Sequence, residues 1–110
     1  MANKYLRQPL IPTAATESTI YTVPAANTAT LSSLRVTNTN ASVASISVNV
    51  YPGGGATAYA LLKTYQLPTT QTMDVFSGVP CILEATDVLK VTSSVSNVAF
   101  VLSYLEMDRT

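Results

Sequence analysis

The sequence predicts an all-β fold, an antiparallel β-sandwich of Greek-key or jelly-roll type with about eight short strands, and three observations carry that prediction. Apolar residues recur with period two from Ile20 onwards. Turn-forming residues interrupt that pattern at intervals of about ten residues, and no segment carries a helical 3.6-residue period.

Residues 1–18 show neither period, and Pro9 and Pro12 hold the backbone extended while excluding it from a central ladder. The division expected is therefore an extended N-terminal arm over residues 1–18 and a β-sandwich domain over residues 19–110. The arm is either a frayed terminus or a segment lying across a neighbouring subunit, with Tyr5, Leu10 and Ile11 as anchors.

The first strand expected covers residues 20–23. The next, over residues 29–36, has apolar side chains at 29 and 31 and then at 34 and 36, so its parity changes across Ser32-Ser33. A β-bulge there would restore one inward face. Residues 43–51 form the clearest strand, with Ala44, Ile46, Val48 and Val50 on one face and Ser45, Ser47 and Asn49 on the other. Strands follow at 59–66, 72–76, 81–84, 88–93 and 98–107. Between them lie turn formers, among them Asn38-Thr39-Asn40, Pro52-Gly53-Gly54-Gly55, Ser77-Gly78 and Ala85-Thr86-Asp87. The last strand is apolar at both parities, which implies an inter-subunit contact or coverage by the arm.

Composition narrows the function classes. A chain of 110 residues is one domain. It has no His, which removes the commonest general base and the commonest zinc ligand together. An enzyme is not expected, nor a cofactor. Six basic residues balance six acidic ones, so no basic excess exists to neutralise phosphates, and neither nucleic acid nor anionic membrane is an expected partner. No apolar run exceeds five residues, against the roughly 18 of a membrane span, so a soluble chain is expected. No secretory signal pattern follows Lys4 and Arg7. Charged residues make up 11% of the chain, less than half the usual share of about 25%. Threonine and serine, 16 and 11 residues, fill the gap. A neutral, hydroxyl-rich surface associates readily, which suits a subunit covered by partners.

Individual motifs carry little chemistry. Pro52-Gly53-Gly54-Gly55 lacks the following helix and the Lys-Ser/Thr pair of a phosphate loop, and reads as a hairpin tip able to touch a partner. Asp74, Glu84, Asp87, Glu106 and Asp108 contain no pair at a metal-binding spacing, and no metal site is expected. Asp87 reads as a turn residue capping its own backbone. Cys81 reads as a buried, inert thiol. Tyr51 and Tyr59 flank the glycine loop; paired across a hairpin they would make either a small aromatic patch for a glycan or a structural cross-strand pair.

Three segments carry a resemblance: Ile20-Tyr21-Thr22-Val23-Pro24-Ala25, Leu34-Arg35-Val36-Thr37-Asn38, and the stretch from Val79 through Leu83-Glu84-Ala85-Thr86-Asp87-Val88-Leu89-Lys90-Val91. Together they resemble small β-sandwich virion proteins of tailed bacteriophages, over roughly residues 19–107, with Thr86 standing where relatives tend to have Gly. The resemblance implies a non-enzymatic virion structural protein, most readily a capsid cement (decoration) protein. The implied partners are the major capsid protein or other virion proteins and further copies of the chain, and the implied location is the virion. The alternative is a neck, tail or fibre component that meets a host-surface receptor or glycan through Tyr51, Gly53, Gly54, Gly55 and Tyr59.

Overall fold

The computed structural model describes residues 3–76 and 80–108. The chain runs β1 (Asn3–Leu10), β2 (Ser18–Thr22), β3 (Asn27–Asn38), β4 (Ala44–Tyr51), a 3-10 turn (Pro52–Gly54), β5 (Tyr59–Leu67), β6 (Thr72–Asp74), β7 (Cys81–Leu83), β8 (Val88–Ser93) and β9 (Val98–Asp108). All pairings are antiparallel. One sheet has the order β1-β9-β3-β6, with β7 pairing the other half of the long β3; the second has the order β2-β8-β4-β5. β6 and β7 thus share one position as an interrupted strand. Apart from that break, only the β4–β5 hairpin joins neighbours within a sheet, and every other connection crosses between sheets. That is the double Greek key of a jelly roll, as expected.

Alternation places the core. β4 reads buried and half-buried in strict turn, with Ala44, Ile46, Val48 and Val50 facing inward. Leu89 and Val91 of β8 sit beside them, and Ala29, Leu31, Leu34, Val36, Phe100 and Leu102 close the layer from the other sheet. The parity change in β3 is a bulge, where the register with β9 slips between Leu31 and Ser33. Asp74 fastens this irregularity: its Oδ1 accepts from the Leu34 and Phe76 N–H groups at 3.2 and 3.0 Å.

The eight strands expected from residue 20 onwards are present. Two readings are corrected. Residues 3–10, expected outside the sheets, form β1 and pair with β9 along their whole length, from Asn3↔Met107 to Leu10↔Phe100. No burial alternation announced this strand because it lies at a sheet edge, where Lys4 to Pro9 remain exposed on both faces. The arm therefore lies beside β9 and not over it. The segment that follows is stitched down as well, since the Ala15 N–H donates to the Ser93 carbonyl at 2.7 Å. Cys81, expected to be buried, is only half-buried, because β7 is itself an edge strand. Burial still pushes its thiol pKa up. The turn expected at Ser77-Gly78 lies outside the described residues.

Thr86 adopts φ +66°, a left-handed conformation that a β-branched side chain tolerates poorly and glycine accepts freely. Thr86→Gly is therefore expected to raise stability by about 0.5–1 kcal/mol, the relief of left-handed strain exceeding the added chain entropy. A thermal melt showing Tm raised by a few degrees would bear this out.

Candidate functional site

The features that bear on function are the sheet edges and the polar contacts near them. The edge strands are β1 and β6/β7 in one sheet and β2 and β5 in the other. Among the described residues, the exposed large apolar side chains are Tyr5, Leu6, Ile11, Val43, Tyr59, Leu61, Tyr65 and Ile82. All but Val43 lie on β1, just after it, or on β5 and β7.

Geometry explains that concentration. On β1, Leu6 shares a row with the buried Tyr104 and so faces inward, yet it is 39% exposed because β1 overhangs the short β2. Leu10, level with Phe100, tucks half-buried against the core. Tyr5 faces outward beside Leu105 and is 85% exposed; Ile11 follows the strand and is exposed. On β5, Tyr59, Leu62, Tyr65 and Leu67 sit level with Val50, Val48, Ile46 and Ala44, and so share the inner face. The opposing edge consists of two three-residue strands, β6 and β7, so only Leu67 of the four is fully covered. Of the three arm anchors, Tyr5 and Ile11 are thus available to a partner, whereas Leu10 serves the fold.

The expected pairing of Tyr51 with Tyr59 is not formed. Tyr59 shares a face with Val50, so Tyr51, one residue further along β4, points to the opposite side. The Tyr51 hydroxyl instead donates to Glu17 Oε1 at 2.7 Å, Asn49 Nδ2 donates to Glu17 Oε2 at 2.9 Å, and Lys90 Nζ lies 4.7 Å from the Tyr51 ring centre. The Asn49 amide, together with the Tyr51 hydroxyl and the Lys90 charge, holds the Glu17 carboxyl below its ordinary range against a smaller opposing effect of partial burial. Sequence alone offered no signal for this cluster, because Glu17 lies in the segment read as an arm. Its groups satisfy one another. Gly53 and Gly54 take φ +63° and +70°, and the Gly53 N–H donates to Asp87 Oδ1 at 2.8 Å while the Glu84 N–H donates to Oδ2 at 2.9 Å. Asp87 thus caps its own turn, as expected, and also ties the glycine loop to it. Among the described residues no group of three or more His, Cys, Asp or Glu is placed to hold a metal.

A second polar contact bridges the sheets. The Tyr21 hydroxyl donates to Glu106 Oε2 at 2.7 Å, and its ring lies 4.3 Å from that of Tyr104. Burial, then the hydrogen bond and charge of Glu106, push the Tyr21 pKa far above its ordinary value. The unfolded chain would release this proton near pH 10 while the folded chain keeps it, so the contribution is complete below about pH 10 and is lost as pH rises further. Tyr21→Phe is expected to lower stability at neutral pH by about 1–2 kcal/mol and to flatten the loss above about pH 10, read from denaturant midpoints across pH.

No protein-family model matches the chain, and no curated protein matches it. Among solved structures it is similar to a subunit of Bacillus endospore appendages, described as a family of disulfide-linked pili, with a TM-score of 0.60 and 13% identity over 99% of this chain and 88% of that one. Weaker similarities are to a pentameric capsid protein from metagenomic phage sequences, TM-score 0.43 at 18% identity over 94% of this chain, and to infectious bursal disease virus, Gx strain, TM-score 0.44 at 11% identity over 94%. The chain spans 60% and 32% of those two chains. Only the first similarity bears on the argument, and it shows a shared fold.

Proposed function

We propose that the chain is a non-enzymatic structural subunit of a multi-copy assembly, and that the assembly is a phage virion in which it acts as a capsid cement or decoration protein. The observation that carries this reading is the placement of the exposed apolar side chains along unpaired sheet edges of a sparsely charged, hydroxyl-rich jelly roll. Such edges are a liability on a free monomer and a joining surface in an assembly. A cement protein bound only to the assembled shell would stabilise it by mass action, and many weak contacts would act together. The major capsid protein and further copies of this chain are the partners on this reading.

The second reading is a neck, tail or fibre component, and the fold shared with a pilus subunit supports it. A polymer linked by disulfides needs at least two thiols per subunit, and these 110 residues contain one Cys. Within these 110 residues, disulfide joints between copies are therefore limited to single pairs.

Quantitative mass spectrometry of purified particles tests both readings. Hundreds of copies per particle would support the shell position, a handful would move the chain to the neck, tail or fibre, and absence from particles would overturn the virion assignment.

A further inference from the structure

Row register across the larger sheet points to how copies join. The strand pairings Tyr5↔Leu105, Thr30↔Leu105 and Thr30↔Ile82 form one continuous row, Tyr5–Leu105–Thr30–Ile82, on the outer face. Both ends of this row are exposed apolar side chains at the free edges of the sheet, Tyr5 at 85% and Ile82 at 60%. Along this row the sheet is four strands wide, β1, β9, β3 and β7, with directions alternating. A second copy in the same orientation, displaced along the row, therefore presents its β1 antiparallel to the first copy's β7. Tyr5 of that copy then meets Ile82, and the inward Leu6 falls level with Cys81.

We propose that β1 of one copy adds antiparallel to the β7 edge of the next in this register, extending the sheet head to tail. This rests on the reading of the chain as a structural subunit and names the surface and the partner, a second copy of the same chain. Register sets Ile82 opposite Tyr5, and charge disfavours joining β1 to itself or to β5. β1 carries Lys4 and Arg7 and no acidic residue, whereas β7 carries no charge and is followed by Glu84 and Asp87. Joining β1 to itself would set these cations against one another, and joining it to β5 would bring them to Lys63. A head-to-tail joint uses two different surfaces and does not close on itself as a dimer; it propagates as a ring or an open helix. Each copy advances about 19 Å, from four strand spacings of about 4.8 Å. Sheet twist rotates it by roughly 80–100°. Pro9 lies near the far end of β1, level with Val101, away from the Tyr5 row.

The test uses the full chain with Tyr5→Lys and Ile82→Lys, which block opposite ends of the row, in sedimentation velocity experiments. Both positions are exposed, so circular dichroism should show an unchanged fold; Tyr5→Ser and Ile82→Thr serve if a lysine perturbs it. The wild type is expected to form chains whose length grows with concentration. Each variant alone is expected to stay monomeric, and an equimolar mixture to give heterodimers, because Ile82→Lys keeps a working β1 and Tyr5→Lys keeps a working β7. Dimers of either variant alone would overturn the proposal in favour of a self-complementary edge. Wild-type association at unchanged strength in both variants, or a wild type monomeric at millimolar concentration, would overturn it too. The structural-subunit reading would survive any of these failures if the chain is found in particles, whereas its absence from them would overturn the virion assignment instead.

Discussion

Asn38→Ala is expected to remove about 3–5 kcal/mol of stability, close to half of what a domain of this size commonly has. Asn38 ends β3 on the inner face with no exposed surface. Its Nδ2 donates to the Ser42 carbonyl at 2.9 Å and the Leu67 carbonyl at 3.0 Å, and its Oδ1 accepts from the Asn40 N–H at 2.9 Å. Its backbone is used equally, with the Asn38 N–H donating to Gln71 at 3.0 Å and the Asn38 carbonyl accepting from Thr70 at 2.8 Å. One side chain thus holds together the 39–43 loop and the 67–71 loop at the same end of the sandwich. Alanine would take a hydrogen-bond partner from three backbone groups, of which the Leu67 carbonyl is the most buried. Chemical denaturation should show a lower midpoint at an unchanged slope. Asn40→Ala is the control, because the partly exposed Asn40 amide bonded to Ser96 can exchange its partner for water, and a loss under about 1 kcal/mol is expected. Asn38→Asp should be worse than alanine at neutral pH, since it aims a carboxylate at two carbonyl oxygens. Its deficit should shrink as pH falls, because protonation restores a donor and the buried carboxyl would carry a raised pKa. An Asn38→Ala variant as stable as the wild type would show that this network contributes nothing net.

Phe100→Ala is the second large effect, an expected loss of about 3–5 kcal/mol. Phe100 is the largest fully buried side chain of the described residues. It stands on β9 between Leu10 of β1 and Val36 of β3, so one ring supports three strands of the sheet. Removing it loses the transfer free energy of the ring and leaves a cavity whose walls are strands tied by backbone hydrogen bonds and unable to collapse. Phe100→Leu keeps most of the volume and should cost less than half as much. Equal losses for the two substitutions would mean that packing at this position is loose.

The outcome for β1 and β3 shows where sequence reading succeeds in this fold and where it stops. β3 and β4 were legible because each has one buried face, and burial imposes alternation that survives even the bulge at Ser32-Ser33. β1 was illegible because nothing covers either of its faces well enough to constrain side-chain polarity. The candidate surface divides in the same way. Tyr5 and Ile11 could be named from an unpatterned apolar segment, but Ile82 looked like an ordinary strand residue until the register with Thr30 set it at the opposite end of the Tyr5 row. Tyr51 and Tyr59 are close in sequence and flank a turn, which suggested a pair; the one-residue offset between Val50↔Tyr59 and Tyr51 sends them to opposite faces.

The all-β class, most strand positions, the bulge, the turn role of Asp87 and the lack of His in these 110 residues could all be read from residue order and composition, because period, turn propensity and composition are local or additive properties. The fold was needed to show that the N-terminal segment is a strand, that Glu17 reaches Asn49 and Tyr51, that Asn38 bridges two loops, and which exposed side chains end a common row. Each of those depends on which strand lies beside which and in what register, and that follows from how the whole set of inward faces closes over one core.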